Sequence, residues 1–188
     1  MQKNEEQVYG PLQGLIGVWR GDKGTDIAPE PNGTEDNPYY EVITYSAIGD
    51  VTNAESQTLV ALQYRQIVQR KSNHEIFHDQ SGYWMWDTKA GLVMHAFAIP
   101  RGVCVLAGGG CTASENPGDG LSLEVHAKKD DPNWSIIQSP FMRDNALTTE
   151  FRQKITLSNN MLTYSQTTEL EIYGTHFQHT DENQLSRH

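Results

Sequence analysis

The stretch Leu15-Ile16-Gly17-Val18-Trp19-Arg20-Gly21-Asp22-Lys23-Gly24 decides how the remainder of this chain is read. It follows Gly10-Pro11-Leu12-Gln13-Gly14, where Gly-Pro starts a turn and leaves room for a short helical turn at most. Ile16 and Val18 then read as a strand, and the glycines around Trp19 let neighbouring backbones approach closely. A large indole on such a strand is suited to plugging one end of a barrel.

Outward from that strand, residues 25–38 change to Asp, Pro, Asn, Gly, Thr and Glu. Pro29, Pro31 and Pro38 each bias the residue before them away from helix, and the segment is expected to be one long loop. Tyr39 to Ile48 alternates as a strand. Gln57 to Gln69 sets Val60, Leu62 and Tyr64 against Gln63, Arg65 and Gln69, a period of two. His74 to Asp79, Tyr83 to Asp87 and Leu92 to Ile99 follow as strands, separated by linkers carrying the glycine of tight hairpins, Gly82 and Gly91. The last of these is expected to turn Leu92, Met94, Ala96 and Ala98 inward, with its alanines leaving room for a ligand. Val103 to Ala107 reads as a strand and residues 108–120 as a loop; strands over 121–126, 134–138, 149–157 and 161–172 complete the pattern. Only residues 141–145 and the first residues after Gly10 invite a helical turn.

About ten strands at hairpin spacing predict an all-β fold, an antiparallel up-and-down barrel with a short helical turn near its N-terminus. At 188 residues the chain is read as one domain, 1–188, with residues 1–9 flexible and residues 180–188 as a tail. The net charge of -10 repels nucleic acid. No apolar run approaches the roughly 18–20 residues of a membrane span, and Met1-Gln2-Lys3-Asn4-Glu5-Glu6 lacks a signal-peptide core, so a cytoplasmic location is expected. In that setting Cys104 and Cys111 are expected as free thiols.

Two conspicuous motifs lose their usual meaning in this context. His74-Glu75-Ile76-Phe77-His78 matches the zinc-protease pattern, which works only on a helix. On a strand, residues four apart lie about 13 Å from one another, too far for one zinc ion. Gly108-Gly109-Gly110 is followed by no lysine, so it reads as a rim turn rather than a phosphate cradle.

The opening strand resembles those of the calycins. The longer run, Pro11-Leu12 through Leu15-Ile16-Gly17-Val18-Trp19-Arg20-Gly21 to Gly24, is similar to nitrobindin and the haem-binding domain fused to THAP proteins. Tyr39-Tyr40-Glu41, the hairpin Phe77-His78-Asp79-Gln80-Ser81-Gly82 and the ending Leu185-Ser186-Arg187 extend the likeness. The family's Tyr-Pro-Thr-Ile loop is here Thr25-Asp26-Ile27-Ala28-Pro29, with an acidic insertion after it.

The resemblance implies a ten-stranded barrel holding haem b, with a last-strand histidine on the iron and the other axial side open to small molecules. It attaches nitric oxide binding and peroxynitrite isomerisation to that iron. Carried onto this sequence, the ligand is His179, with His176 as runner-up, and Ile27 and His78 stand near the cavity mouth. Asp181 is close enough in sequence to His179 to orient it. A second reading is a fatty-acid-binding-protein-like carrier of an apolar small molecule, for which Arg65 and Arg152 would be the buried carboxylate clamps; a third is an interaction scaffold. Pairing of two barrels as a homodimer is left open.

Overall fold

The computed structural model describes residues 9–113 and 120–188, and the expectation of a flexible segment 1–9 falls outside them except at Tyr9. A 3-10 turn over Gly10–Leu15 leads into β1 (Gly17–Gly21), β2 (Thr25–Glu30), β3 (Gly33–Asn53), β4 (Gln57–Arg70) and β5 (Ile76–Asp87). β6 (Leu92–Ile99), β7 (Val103–Ala113), β8 (Leu121–Lys128) and β9 (Ile136–Gln138) follow. After α1 (Pro140–Asn145) come β10 (Ala146–Ser158), β11 (Met161–Ile172) and β12 (Thr175–Arg187). Ser139 caps α1 by accepting the Met142 amide at 3.3 Å.

The strands close into a ten-stranded antiparallel barrel. Closure rests on β1 and β2, which occupy one position in the wall between β3 and β12. In β1, Trp19 pairs with both Ile43 and Arg187; in β2, Asp26 pairs with both Asn37 and Asp181. Residues 22–24 interrupt this divided strand. A Cβ at Gly24 would lie 2.2 Å from the Tyr39 ring, so only glycine lets the interruption pack there.

Two expected irregular segments are therefore wall. Residues 25–38 form β2 and the start of β3: Pro29 lies in β2 opposite Thr34, Pro31 falls at the β2–β3 turn, and Pro38 is tolerated within β3. Residues 180–187 are not a tail, since β12 continues to Arg187, paired with β11 as far as Ser186 and with β1 at Arg187. The loop expected over 108–120 also begins late, because residues 108–113 remain in β7 against β8.

Alternation assigns the faces. Val93, His95 and Phe97 of β6 are buried inside, while Met94, Ala96 and Ala98 lie on the outer wall, the reverse of the expected order. Both faces of that strand are apolar, so its sequence alone carries no preference, and a one-residue slip exchanges them.

One end of the barrel is shut. Leu12, Leu15, Trp19, Leu62, Leu162 and Leu185 have no exposed surface, and the Trp19 indole N–H donates to the Leu15 carbonyl at 2.7 Å. The Arg187 guanidinium covers the Trp19 ring at 4.5 Å. Above this plug lies an aromatic layer in which His95 stacks on Trp84 at 4.1 Å and meets the Tyr64 hydroxyl at 2.7 Å. Complete burial pushes the His95 pKa down to about 3, so this ring is a neutral core residue.

Candidate functional site

Beyond the aromatic layer the interior becomes polar. Glu41 of β3 is buried to 1% exposure and accepts from Gln66 Nε2 at 2.6 Å, Asn183 Nδ2 at 2.6 Å and the Tyr164 hydroxyl at 3.1 Å. The Tyr39 hydroxyl joins this belt through Tyr164 at 3.1 Å. Burial raises the Glu41 pKa to about 7 against the pull of its three donors, and nearby Asp181 adds to the rise. Glu41 shares the inner face of β3 with Tyr39, Ile43 and Tyr45, and strand alternation alone gives no sign of which face is inner.

The end opposite the Trp19 plug is built by β12, β2 and β5. On β12 the inward row runs Phe177, His179, Asp181, Asn183 and Leu185, so His179 enters the interior and His176 cannot. His179 Nε2 bonds Asp26 Oδ1 at 2.5 Å and stands 3.9 Å from Asp181 Oδ2. Burial works against charging this ring, but the hydrogen bond and field of Asp26, with the field of Asp181, hold its pKa above the usual histidine value. Asp26 is buried too, yet His179 keeps its carboxyl below the ordinary range. Asp181 is pushed up to about 6 by burial and by Asp26, with His179 opposing. Gln166 donates to Asp181 at 3.5 Å from the adjoining strand.

His78 also turns inward on β5, where it meets Gln80 at 3.3 Å. Burial holds its pKa below the normal value, and it lies within the electrostatic reach of both His179 and Asp26. His78 and His179 are thus brought to one end of one interior.

Other candidates fall elsewhere. His176 is on the outer wall, 58% exposed and 3.2 Å from Glu169. Ile27 does not line the interior: it is 43% exposed, and the β2 residue facing inward is its neighbour Asp26. Reading residues 25–38 as a loop removed the alternation that would have singled out Asp26. His74 sits in the β4–β5 turn and stacks on Tyr40 at 6.1 Å, away from His78, so the zinc-protease pattern forms no site. Arg65 is held on the outer wall by Asp79 at 2.6 Å, and Arg152 by Glu150 at 3.3 Å and Glu169 at 3.1 Å. Neither arginine clamps a ligand inside.

The chain is thus an up-and-down β-barrel shut by an indole at one end and lined by imidazoles and carboxylates at the other. More narrowly, residues 8–187 match the profile of the THAP4-like, heme-binding beta-barrel domain, and the chain belongs to that family. The chain is similar to a protein described as "Crystal Structure of Rv2717c from M. tuberculosis", with a TM-score of 0.71 and 20% identity over 94% of each chain, a likeness of fold. No curated protein matches it in sequence. No helix among the described residues is long and apolar enough to cross a membrane.

Proposed function

We propose that the barrel takes up haem b at the end opposite the Trp19 plug, where His179 would hold the iron. The observation that carries this reading is the placement of His179, the inward histidine of β12 at the unplugged end, with a carboxylate on one ring nitrogen. The donor chemistry fits. A metal-bound histidine ordinarily gives its other ring N–H to a carboxylate or carbonyl, which fixes the tautomer and makes the free nitrogen more basic. Asp26 does this for Nε2–H and leaves Nδ1 as the basic nitrogen.

When bound, ferric haem would supply a Lewis-acidic iron for nitric oxide or for peroxynitrite, the isomerisation substrate. The chain's own part is to hold and screen. His179 is kept in place by Asp26, neutral His78 faces the same space without adding charge, and the aromatic layer of Trp84, Phe97 and Phe151 bars water from below. Cys104 and Cys111 are both free, which suits a cytoplasmic protein.

Haemin titration followed by absorbance tests the proposal on wild type, His179→Ala and His176→Ala. The expected result is a saturable Soret shift at one equivalent, lost in His179→Ala and kept in His176→Ala. No saturable shift in wild type, or one indifferent to His179→Ala, rejects it. Where the shift is present, peroxynitrite decay with and without loaded protein tests the isomerisation.

A further inference from the structure

We propose that Asp26, His179 and Asp181 form a site for one divalent transition-metal cation of the kind Zn2+ represents. One ligand atom from each residue lies within 4.8 Å of the other two. Their spacing comes from the wall itself: Asp26 and Asp181 are partners across the β2–β12 pairing, and His179 is the next inward residue along β12. Imidazole nitrogen with carboxylate oxygen is a donor set that zinc, manganese and ferrous iron accept. A cation at about 2.0–2.2 Å from each donor needs His179 Nε2 and Asp26 Oδ1, now 2.5 Å apart, to separate and admit it.

Two further features favour a cation with an open coordination position. Among the described residues no lysine or arginine is fully buried: two carboxylates, Asp26 and Asp181, stand at His179, while the cations that reach this end are Arg70, through Asn37, and Arg101, whose field His179 feels. Asn37, 6% exposed, stands opposite Asp26 on the same inner face, and its Nδ2 has no hydrogen-bond partner. Its Oδ1 accepts from Arg70 Nε at 3.2 Å, which fixes which end of the amide carries the spare donor. A buried donor left without an acceptor is costly, and an oxygen ligand on the cation would supply that acceptor.

Metal uptake replaces the Nε2 hydrogen bond to Asp26 by bonds from both groups to the cation, and a charged ring gives up one proton to solvent as it binds. The haem proposal uses Nδ1 of His179 and the cation takes Nε2; a neutral ring bound through Nε2 carries its proton on Nδ1 and has no nitrogen left for iron, so the two occupants exclude one another. Its argument rests on the donor set and stands whether or not haem binds.

Purified full-length protein, first freed of metal with a chelator, is titrated with Zn2+ by calorimetry and with Co2+ by visible absorption. Wild type is compared with Asp26→Asn, Asp181→Asn and the outer-wall control His176→Ala, each checked for folding by circular dichroism. The expected result is one saturable equivalent in wild type and control, with affinity lowered about tenfold or more in both aspartate variants. Zn2+-saturated wild type should also fail to give the haemin Soret shift. The proposal is overturned by absence of saturable uptake in wild type, by uptake indifferent to both substitutions, or by haemin binding through His179 in the zinc-saturated protein. Zinc binding with no haemin binding at all would reject the haem proposal alone.

Discussion

His179 Nε2 and Asp26 Oδ1 lie 2.5 Å apart although 153 residues separate them in the chain. The contact joins the last strand of the barrel to the short second one, inside the wall, where few waters compete for either partner. Its strength is therefore tied to the ionisation of both groups.

That tie predicts a pH window. The raised His179 pKa contributes stability that is fully present below the unfolded value of 6.5 and is lost as pH rises through the folded value. The lowered Asp26 pKa contributes stability present above 3.8 and lost as pH falls through its folded value. Thermal melts should show the pair's contribution between these limits and its decline on the alkaline side. A melt series with the same alkaline slope in Asp26→Asn as in wild type would contradict this assignment.

Glu41 acts with the opposite sign to Asp26. Its folded pKa, raised from 4.5 to about 7, makes the folded state hold a proton that the unfolded chain has lost. Stability from this group should fall as pH rises from 4.5 to about 7 and then level off, by roughly 3 kcal/mol at the scale of 1.36 kcal/mol per pKa unit. Glu41→Gln should flatten that part of the denaturation profile, which urea titrations at several pH values measure.

The plug should be the costliest place to cut. Trp19→Ala removes a fully buried indole with its hydrogen bond to Leu15 and its cover by Arg187, and a loss of about 3–5 kcal/mol is expected in chemical denaturation. Leu15→Ala should cost about 2–5 kcal/mol for the cavity alone. A loss under 1 kcal/mol in Trp19→Ala would show that the indole is not structural.

Neighbouring residues of β2 should behave differently. Ile27→Ala, on the outer wall, should change stability by about 0.5 kcal/mol or less and leave haemin binding unaltered. Asp26→Asn should weaken haemin binding about tenfold by releasing the orientation of His179. Equal effects from the two substitutions would refute the face assignment.

The barrel was legible from hairpin spacing and from the period of two, which any half-buried antiparallel strand displays. The zinc-protease pattern was rightly set aside, because His74 and His78 leave the β4–β5 turn in different directions. The sequence alone misled where local chemistry and tertiary pairing disagree. Asp26 and Pro29 look like loop, yet β3 pairs with β2 along its whole length and β12 with residues 25–27, which holds it extended. In β6 both faces are apolar, so inward and outward could not be told apart. Choosing His179 over His176 required the register of β12, which is set by its pairing with β11 from Thr175 to Ser186.

The interruption at residues 22–24 has a consequence for how this barrel breathes. Two short pieces meet at this wall position, and β2 carries Asp26 on the piece farther from the Trp19 plug. A fluctuation that frays β2 from β12 must also draw the Asp26 carboxylate away from His179. Anything that tightens that contact should therefore slow amide exchange along residues 180–182, so the rate at which the wall unzips reports whether the interior is filled.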